Sequence, residues 1–397
     1  MATIRKRGNS YQIRVSCGTD VYGKKLVESM TWKPDENMTE RQITKELNKI
    51  AVQFEEKVKR GNIKKDSKMK INDLCAIYLD MQKKSLSPTT YDSYESVINI
   101  YILPLLGHLK LADVTPLHMQ KFIYALSEQQ AHYSNGTLSA STVKRYYAVV
   151  QSIFKFACKM GFLENNPSTI NNLELPKISP PNIDILDEKN IAVMLECLEN
   201  EPTMWKVLIH LALCTGCRCG EIAALQWDDI IWEKNQIKIC KSMYHINGKK
   251  GIKLPKSQTS NRTIVIPKYM IQMLKYYKNR QAEIKLRYIH WNKDNMIFVN
   301  QSGDWLSPRI ISFWFQGFLK RHNIKHIKFH ALRHTSATLL LANGTNIKTV
   351  SNRLGHSSIS ITETYLHALE AADISAAETL EKKLNFDKVG QNQDKQA

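Results

Sequence analysis

The sequence predicts a multidomain protein: a small β-sheet with one helix, an all-α bundle, and a mixed α+β domain that is mostly helical. Three observations carry this expectation. At 397 residues with 43% apolar side chains, the chain exceeds what one hydrophobic core usually organises. Its apolar residues alternate near the N terminus and turn to helical spacing from Met69 onward, the two periods of strand and helix. The stretch holding Pro167, Pro176, Pro180 and Pro181 has no clear periodicity, which fits a linker. Domains are therefore placed at 1–66, 67–170 and 181–386, with a linker at 171–180 and a mobile polar tail at 387–397.

Between Ser10 and Trp32, Tyr11, Ile13 and Val15 and then Val21 and Leu26 to Met30 alternate with polar residues, and Gly18 and Gly23 mark turns. Short antiparallel strands follow. Thr39 with Gln42 reads as a capping box, and Ile43, Leu47, Ile50, Phe54 and Val58 form one helical stripe. From Met69 to about Asn166 the pattern is helical, with starts at Asn72, Ser87-Pro88, Thr115-Pro116 and Ser139, giving four or five helices. Beyond a boundary near residue 180 come helices to about Leu213. Strands then run from Ile230 to Ile266, broken by a basic turn at Asn247 to Gly251, and mostly helices follow.

The formal charge is +19, from 56 Lys and Arg against 37 Asp and Glu, with a pI near 9.4. Such a field attracts polyanions, and nucleic acid is the leading partner. No apolar run approaches the length of a spanning helix and the start MATIRKRGNSYQ lacks a signal-peptide core, so a cytosolic protein is expected. Eight Cys in a chain this long do not read as a disulfide framework, and most of them read as small core residues. Residues 1–70 hold 17 basic and 9 acidic residues, a net +8. The sharper reading is a separate DNA-binding module using Arg5, Lys6, Arg14, Lys24 and Lys25; the plainer one is a solvated charged surface. Two helix starts, SPTTYDSY and SASTVKRYY, place Thr89, Thr90, Thr142, Lys144 and Arg145 where backbone N–H groups favour phosphate. Ordinary N-capping explains their hydroxyls equally well.

Four segments of the C-terminal half hold polar residues that neither a core nor a solvated face needs. TGCRCGEIAALQW places Arg218 at a turn into a short helix, and LPKSQTSNRTIVIP reads as a hairpin with Lys256 at the edge of its turn. HALRHTSATLL puts His330 and Arg333 on one helix face, and LGHSSISITETYLH carries His356 with Tyr365 nine residues later. This set suits phosphodiester transfer without a metal. Arg218 and Arg333 would bind nonbridging phosphate oxygens. Tyr365, a weak nucleophile while its phenol keeps its proton, needs a base or a strong local positive field, and His330 is the candidate base. Lys256 suits the acid that protonates a departing 5′ oxygen, and His356 a hydrogen bond to the phosphate.

In this order, the four segments resemble the signature of the tyrosine recombinases of the phage lambda integrase type. The resemblance assigns catalytic roles to Arg218, Lys256, His330, Arg333, His356 and the nucleophile Tyr365, with Glu221 as a neighbour of Arg218. It extends upstream, where the bundle resembles a core-site DNA-binding domain and the small sheet an arm-site domain. The HALRHTSATLLLANG segment and the N-terminal module resemble those of conjugative transposon integrases. The resemblance implies integration and excision of a mobile element through a 3′-phosphotyrosyl intermediate, with no cofactor, metal or ATP. It also implies a homotetramer on two DNA duplexes, a nucleoid-associated location in a bacterium, and an excision factor and DNA-bending protein as partners. The rivals are a DNA-binding regulator of the same fold and a type IB topoisomerase. Cys214, Cys217 and Cys219 surround Arg218 where the family commonly has aliphatic residues. His334 is expected to pack or cap within its helix. The amphipathic segment AADISAAETLEKKL, with Ile374, Ala377, Leu380 and Leu384 on one face, is expected to dock on its own domain or on a neighbouring protomer.

Overall fold

The computed structural model describes residues 2–19, 25–35, 38–59, 68–130, 136–169, 173–178, 184–254, 261–288 and 290–366. Lys24, Lys256, residues 171–172 and 179–180 of the linker, the C-terminal amphipathic segment and the tail lie outside them. The chain divides into two compact units, Met1–Ser179 and Pro180–Ala397.

The first unit begins with a three-stranded antiparallel sheet, β1 (Thr3–Arg7), β2 (Ser10–Thr19) and β3 (Lys25–Trp32), with β2 in the centre. The sequence pattern pointed only to the second and third strands. TIRKR is exposed at every position and so shows no buried alternation; ladder hydrogen bonds to β2 hold it, through a turn in which Gly8 takes φ +58°. Helix α1 (Glu40–Lys59) covers one face, where Ile13, Leu47 and Ala51 form a small core with Tyr11, Met30, Trp32 and Phe54. At its start the Thr39 N–H donates to Gln42 Oε1 at 2.9 Å, half of the expected capping box.

The helical bundle follows. Helix α2 (Ile71–Gln82) precedes α3 (Pro88–Val97), which runs through a π-helical turn at Ile98–Ile102 into α4 (Leu103–Leu106). Then come α5 (Pro116–Glu128) and α6 (Ala140–Lys159). Ser87, Thr115 and Ser139 are the N-caps of α3, α5 and α6, as their spacing predicts. The start expected at Asn72 falls at Lys70, whose N–H donates to Asp73 at 3.0 Å. Leu74, Tyr78, Ile98, Met119, Tyr147 and Phe154 are among the fully buried core side chains.

The second unit holds α7 (Glu188–Leu198), α8 (Thr203–Thr215) and α9 (Cys219–Ala223), then β4 (Ile230–Ile231), β5 (Gln236–Ile239), β6 (Ser242–Ile246), β7 (Lys249–Lys253) and β8 (Arg262–Val265). Helices α10 (Lys268–Arg287), α11 (Pro308–Arg321), α12 (Ala331–Ala342) and α13 (Ile347–Leu354) complete it. The strands form one antiparallel sheet in the order β4-β5-β8 and a separate β6-β7 hairpin, whose turn uses Asn247 at φ 47° and Gly248 at φ 77°. The strands flanking Lys256 therefore belong to two different sheets, where the sequence suggested a single hairpin. Among the described residues no helix is long and apolar enough to cross a membrane.

Candidate active site

The polypeptide turns sharply between α8 and α9 because Gly216 ends α8 in the left-handed region, φ +62°. A side chain there would meet Leu354 Cδ2 at 2.5 Å as well as suffer the strained φ. The turn leaves Arg218 extended as the N-cap of α9, three residues ahead of Glu221. Glu221 accepts the Arg218 N–H at 2.9 Å and the Arg218 Nη1 at 2.9 Å. Its other partner is Arg262 at the start of β8, which donates from Nη2 at 2.9 Å and from Nη1 at 3.3 Å. Burial alone raises the Glu221 pKa, but the hydrogen bonds and charge of Arg262, with those of Arg218, outweigh it and hold the carboxyl below its ordinary value.

Arg262 also donates through Nε to the Arg353 carbonyl at 2.7 Å, at the end of α13. Arg353 reciprocates, donating to the carbonyls of Val265 at 3.0 Å and Cys214 at 2.6 Å. This exchange ties β8, the end of α8 and the end of α13 together. Gly355, at φ +69°, completes the packing, since a Cβ there would lie 2.9 Å from Arg262 Nη1. Arg262 was not singled out from the sequence, although the alternation Arg262, Ile264, Ile266 marks an inward-facing position.

His330, Arg333 and His334 fall on one face at the start of α12. Arg333 is 2% exposed, and its Nη1 donates to the Gly216 carbonyl at 2.8 Å. Among the described residues its buried Nη2 has no well-formed hydrogen bond. Burial first, then the charge of Arg218, push the Arg333 pKa down to about 10, so it stays cationic at neutral pH. His330 retains solvent exposure, yet loss of solvation, followed by the influence of His334, Arg333 and Arg218, depresses its pKa to about 4. His356, held by Thr362 Oγ1 at 2.8 Å from Nδ1, is likewise pushed to about 4 by burial and then by Arg333 and Arg218. Both imidazoles are neutral near pH 7.

Tyr365 is 3% exposed and packs with Ala337, Val350 and Leu354. Burial raises its pKa, and Arg333 and Arg218 pull the other way. Its hydroxyl lies 2.9 Å from Nδ1 of His334. The hydrogen bond to the nucleophile candidate thus goes to His334, expected only to pack or cap, and not to His330, the expected base. His330 stands one step removed, its ring 4.7 Å from that of His334. The missed signal was spacing: His334 lies four residues after His330 and so shares its face.

Five of the six expected catalytic residues, Arg218, His330, Arg333, His356 and Tyr365, therefore converge; the sixth, Lys256, lies outside the described residues. Arg218 and Arg262 flank the Glu221 carboxylate and Arg333 adds a third positive charge beside neutral imidazoles, so the cluster is cationic. The three cysteines beside it turn to separate partners: Cys214 Sγ to the Tyr269 hydroxyl, Cys217 Sγ to Arg262 and Cys219 Sγ to the Pro308 carbonyl. A cleft of about 530 Å³ lined by Lys250, His290, Lys293, Asp294 and Trp305 contains none of the converging residues.

A buried tyrosine among guanidiniums is an arrangement suited to phosphoryl chemistry. Residues 184–372 match the phage integrase family, and residues 70–127 match the N-terminal SAM-like domain of phage integrases. The chain belongs to this family of tyrosine recombinases, enzymes of DNA breakage and rejoining. A tyrosine recombinase XerC-like protein of Caldanaerobacter subterraneus is 29% identical over 395 residues, covering 93% of this chain and 95% of that one. In fold, the chain is similar to the Tn1549 transposon integrase solved in complex with transposon right end DNA, with TM-score 0.63, 19% identity, and coverage of 75% of this chain and 94% of that one. It is also similar to lambda integrase, solved as a tetramer bound to a Holliday junction, with TM-score 0.55, 18% identity, and coverage of 89% and 95%.

Proposed function

We propose that this recombinase integrates and excises a mobile element, with Tyr365 attacking a scissile phosphate to form a 3′-phosphotyrosyl link and free a 5′ hydroxyl. The observation that carries this reading is the buried Tyr365 hydroxyl beside Arg333, whose charge and hydrogen bonding act on it, together with a buried Arg333 Nη2 that has no well-formed hydrogen bond among the described residues. An unpaired buried donor costs about 1–3 kcal/mol, a cost that a phosphate oxygen in the site would remove. Arg218 and Arg333 hold the nonbridging oxygens and stabilise the charge that grows on them. His330 and His356, both neutral, add hydrogen bonds to the phosphate, and Lys256 protonates the leaving 5′ oxygen. The link conserves the phosphoester bond energy, so the 5′ hydroxyl of a partner strand can reseal it.

The assembly is a homotetramer on two duplexes, by analogy with lambda integrase on its junction. The bundle grips core sites through the starts of α3 and α6. There the Thr90 and Thr142 hydroxyls lie 2.8 Å and 2.9 Å from Ser87 Oγ and Ser139 Oγ, Thr89 lies beside Ser87, Lys144 is half-buried, and the Arg145 guanidinium sits over the Tyr146 ring. The N-terminal sheet reads arm sites with the face that α1 leaves open. Register puts Arg5 and Arg14 on that face, opposite to Ile13, whereas Lys6 pairs with Tyr11 on the other face and lies over its ring. Lys25 begins β3. The protein acts at the nucleoid, with an excision factor and a DNA-bending protein setting the direction. A nicked suicide duplex, which loses its 5′ hydroxyl after cleavage, tests the core of this reading. Wild type should trap a covalent adduct and Tyr365→Phe none; equal trapping by both refutes it.

A further inference from the structure

Three imidazoles lie near Tyr365, and they are not equivalent. His356 spends Nδ1 on Thr362, and His330 meets the ring of His334 edge-on. His334 is hydrogen-bonded through Nδ1 to the hydroxyl itself, at 2.9 Å. We propose that His334 is the proton acceptor for Tyr365, an inference that rests on Tyr365 being the nucleophile. In the tautomer that carries its proton on Nε2, Nδ1 offers a lone pair to the phenol. As the Tyr365 oxygen bonds to phosphorus, its proton passes to Nδ1. The P–O5′ bond then breaks and the leaving oxygen takes a proton from Lys256. In the rejoining step the 5′ hydroxyl attacks phosphorus and returns a proton to Lys256, the phosphotyrosyl bond breaks, and His334 gives its proton back to the Tyr365 oxygen. Atoms and charges balance over the cycle without any added reagent.

The surroundings of His334 fit this role. Among the described residues, Arg333 and His330 on its own helix, Asp184 from the segment ahead of α7, and Tyr365 are the ionisable groups acting on or touching it. Loss of solvation, and then Arg333, hold its pKa below the ordinary value, so the ring is free to accept; Asp184 pulls the other way. The Leu186 N–H donates to Thr335 Oγ1 at 3.1 Å, fixing that segment against α12 beside His334. Asp184 thereby supplies a countercharge for the imidazolium that forms.

The test uses His334→Asn, whose amide oxygen replaces Nδ1 without its basicity, with His334→Gln measured alongside in case the shorter side chain disturbs folding. Gel-shift affinity for the core duplex should stay at the wild-type value. Single-turnover cleavage should slow on the order of a hundredfold or more, the range of a lost proton acceptor. Placing 3-fluorotyrosine at position 365, a more acidic phenol, should restore most of that loss while changing wild type little. A bridging 5′-phosphorothiolate, whose sulfur leaves without a proton, should rescue Lys256→Ala but not His334→Asn. Cleavage by the His334 variants at the wild-type rate, or a defect that fluorotyrosine does not relieve, overturns the proposal. Adducts formed by Tyr365→Phe would instead overturn the nucleophile assignment beneath it.

Discussion

At the scale of single residues, Glu221 joins one carboxylate to two guanidiniums and a backbone N–H, and its side chain and that of Arg262 are each 7% exposed. Removing one partner of a buried ion pair leaves the other charge uncompensated, a loss of about 3–5 kcal/mol. Glu221→Ala should lower unfolding stability in urea by that order; a change under ~1 kcal/mol would mean that Arg262 finds solvent instead. The residues most legible in the sequence were those whose chemistry is unusual in context: Arg218 at a helix start, His330 with Arg333, and Tyr365 after His356. Arg262 and His334 were less legible, because an arginine in a strand and a histidine in a helix each have ordinary roles. Only the fold shows that Arg262 faces inward onto Glu221 and that His334 reaches the Tyr365 hydroxyl.

Among elements, the helices of the bundle could be placed from hydroxyl N-caps followed by proline or by an apolar stripe, since both signals are local. β1 could not, because an exposed edge strand buries nothing and leaves no alternation. Sheet membership was also hidden: β7 and β8 are adjacent in sequence, yet β7 pairs with β6 and β8 with β5, a choice made by long-range packing. The open face of the N-terminal sheet yields a prediction at this scale. Arg5→Ala with Arg14→Ala should reduce the salt slope of log affinity at arm sites by about 0.9 for each phosphate no longer neutralised, and leave cleavage of an isolated core duplex intact. An unchanged slope would remove the sheet from the interface.

For the whole molecule, the +19 charge favours association with DNA while repelling itself, and the cationic candidate site adds a pH dependence. His330 and His356 titrate near 4 in the folded chain, against an ordinary value of 6.5. The unfolded chain therefore takes up protons first as pH falls. The stability linked to these rings is complete above pH 6.5 and is lost on descending to about 4. Urea midpoints should fall across that window, and fall less steeply for His356→Gln; parallel slopes would mean that His356 is not buried in its neutral form.

The central claim is that one phenol oxygen becomes bonded to DNA. Trypsin should release residues 354–382 as a peptide whose single tyrosine is Tyr365. Mass spectrometry of the trapped adduct after nuclease digestion should find the residual nucleotide on that peptide, at the tyrosine. A nucleotide attached to any other peptide, or to a serine or threonine of this one, would contradict the account.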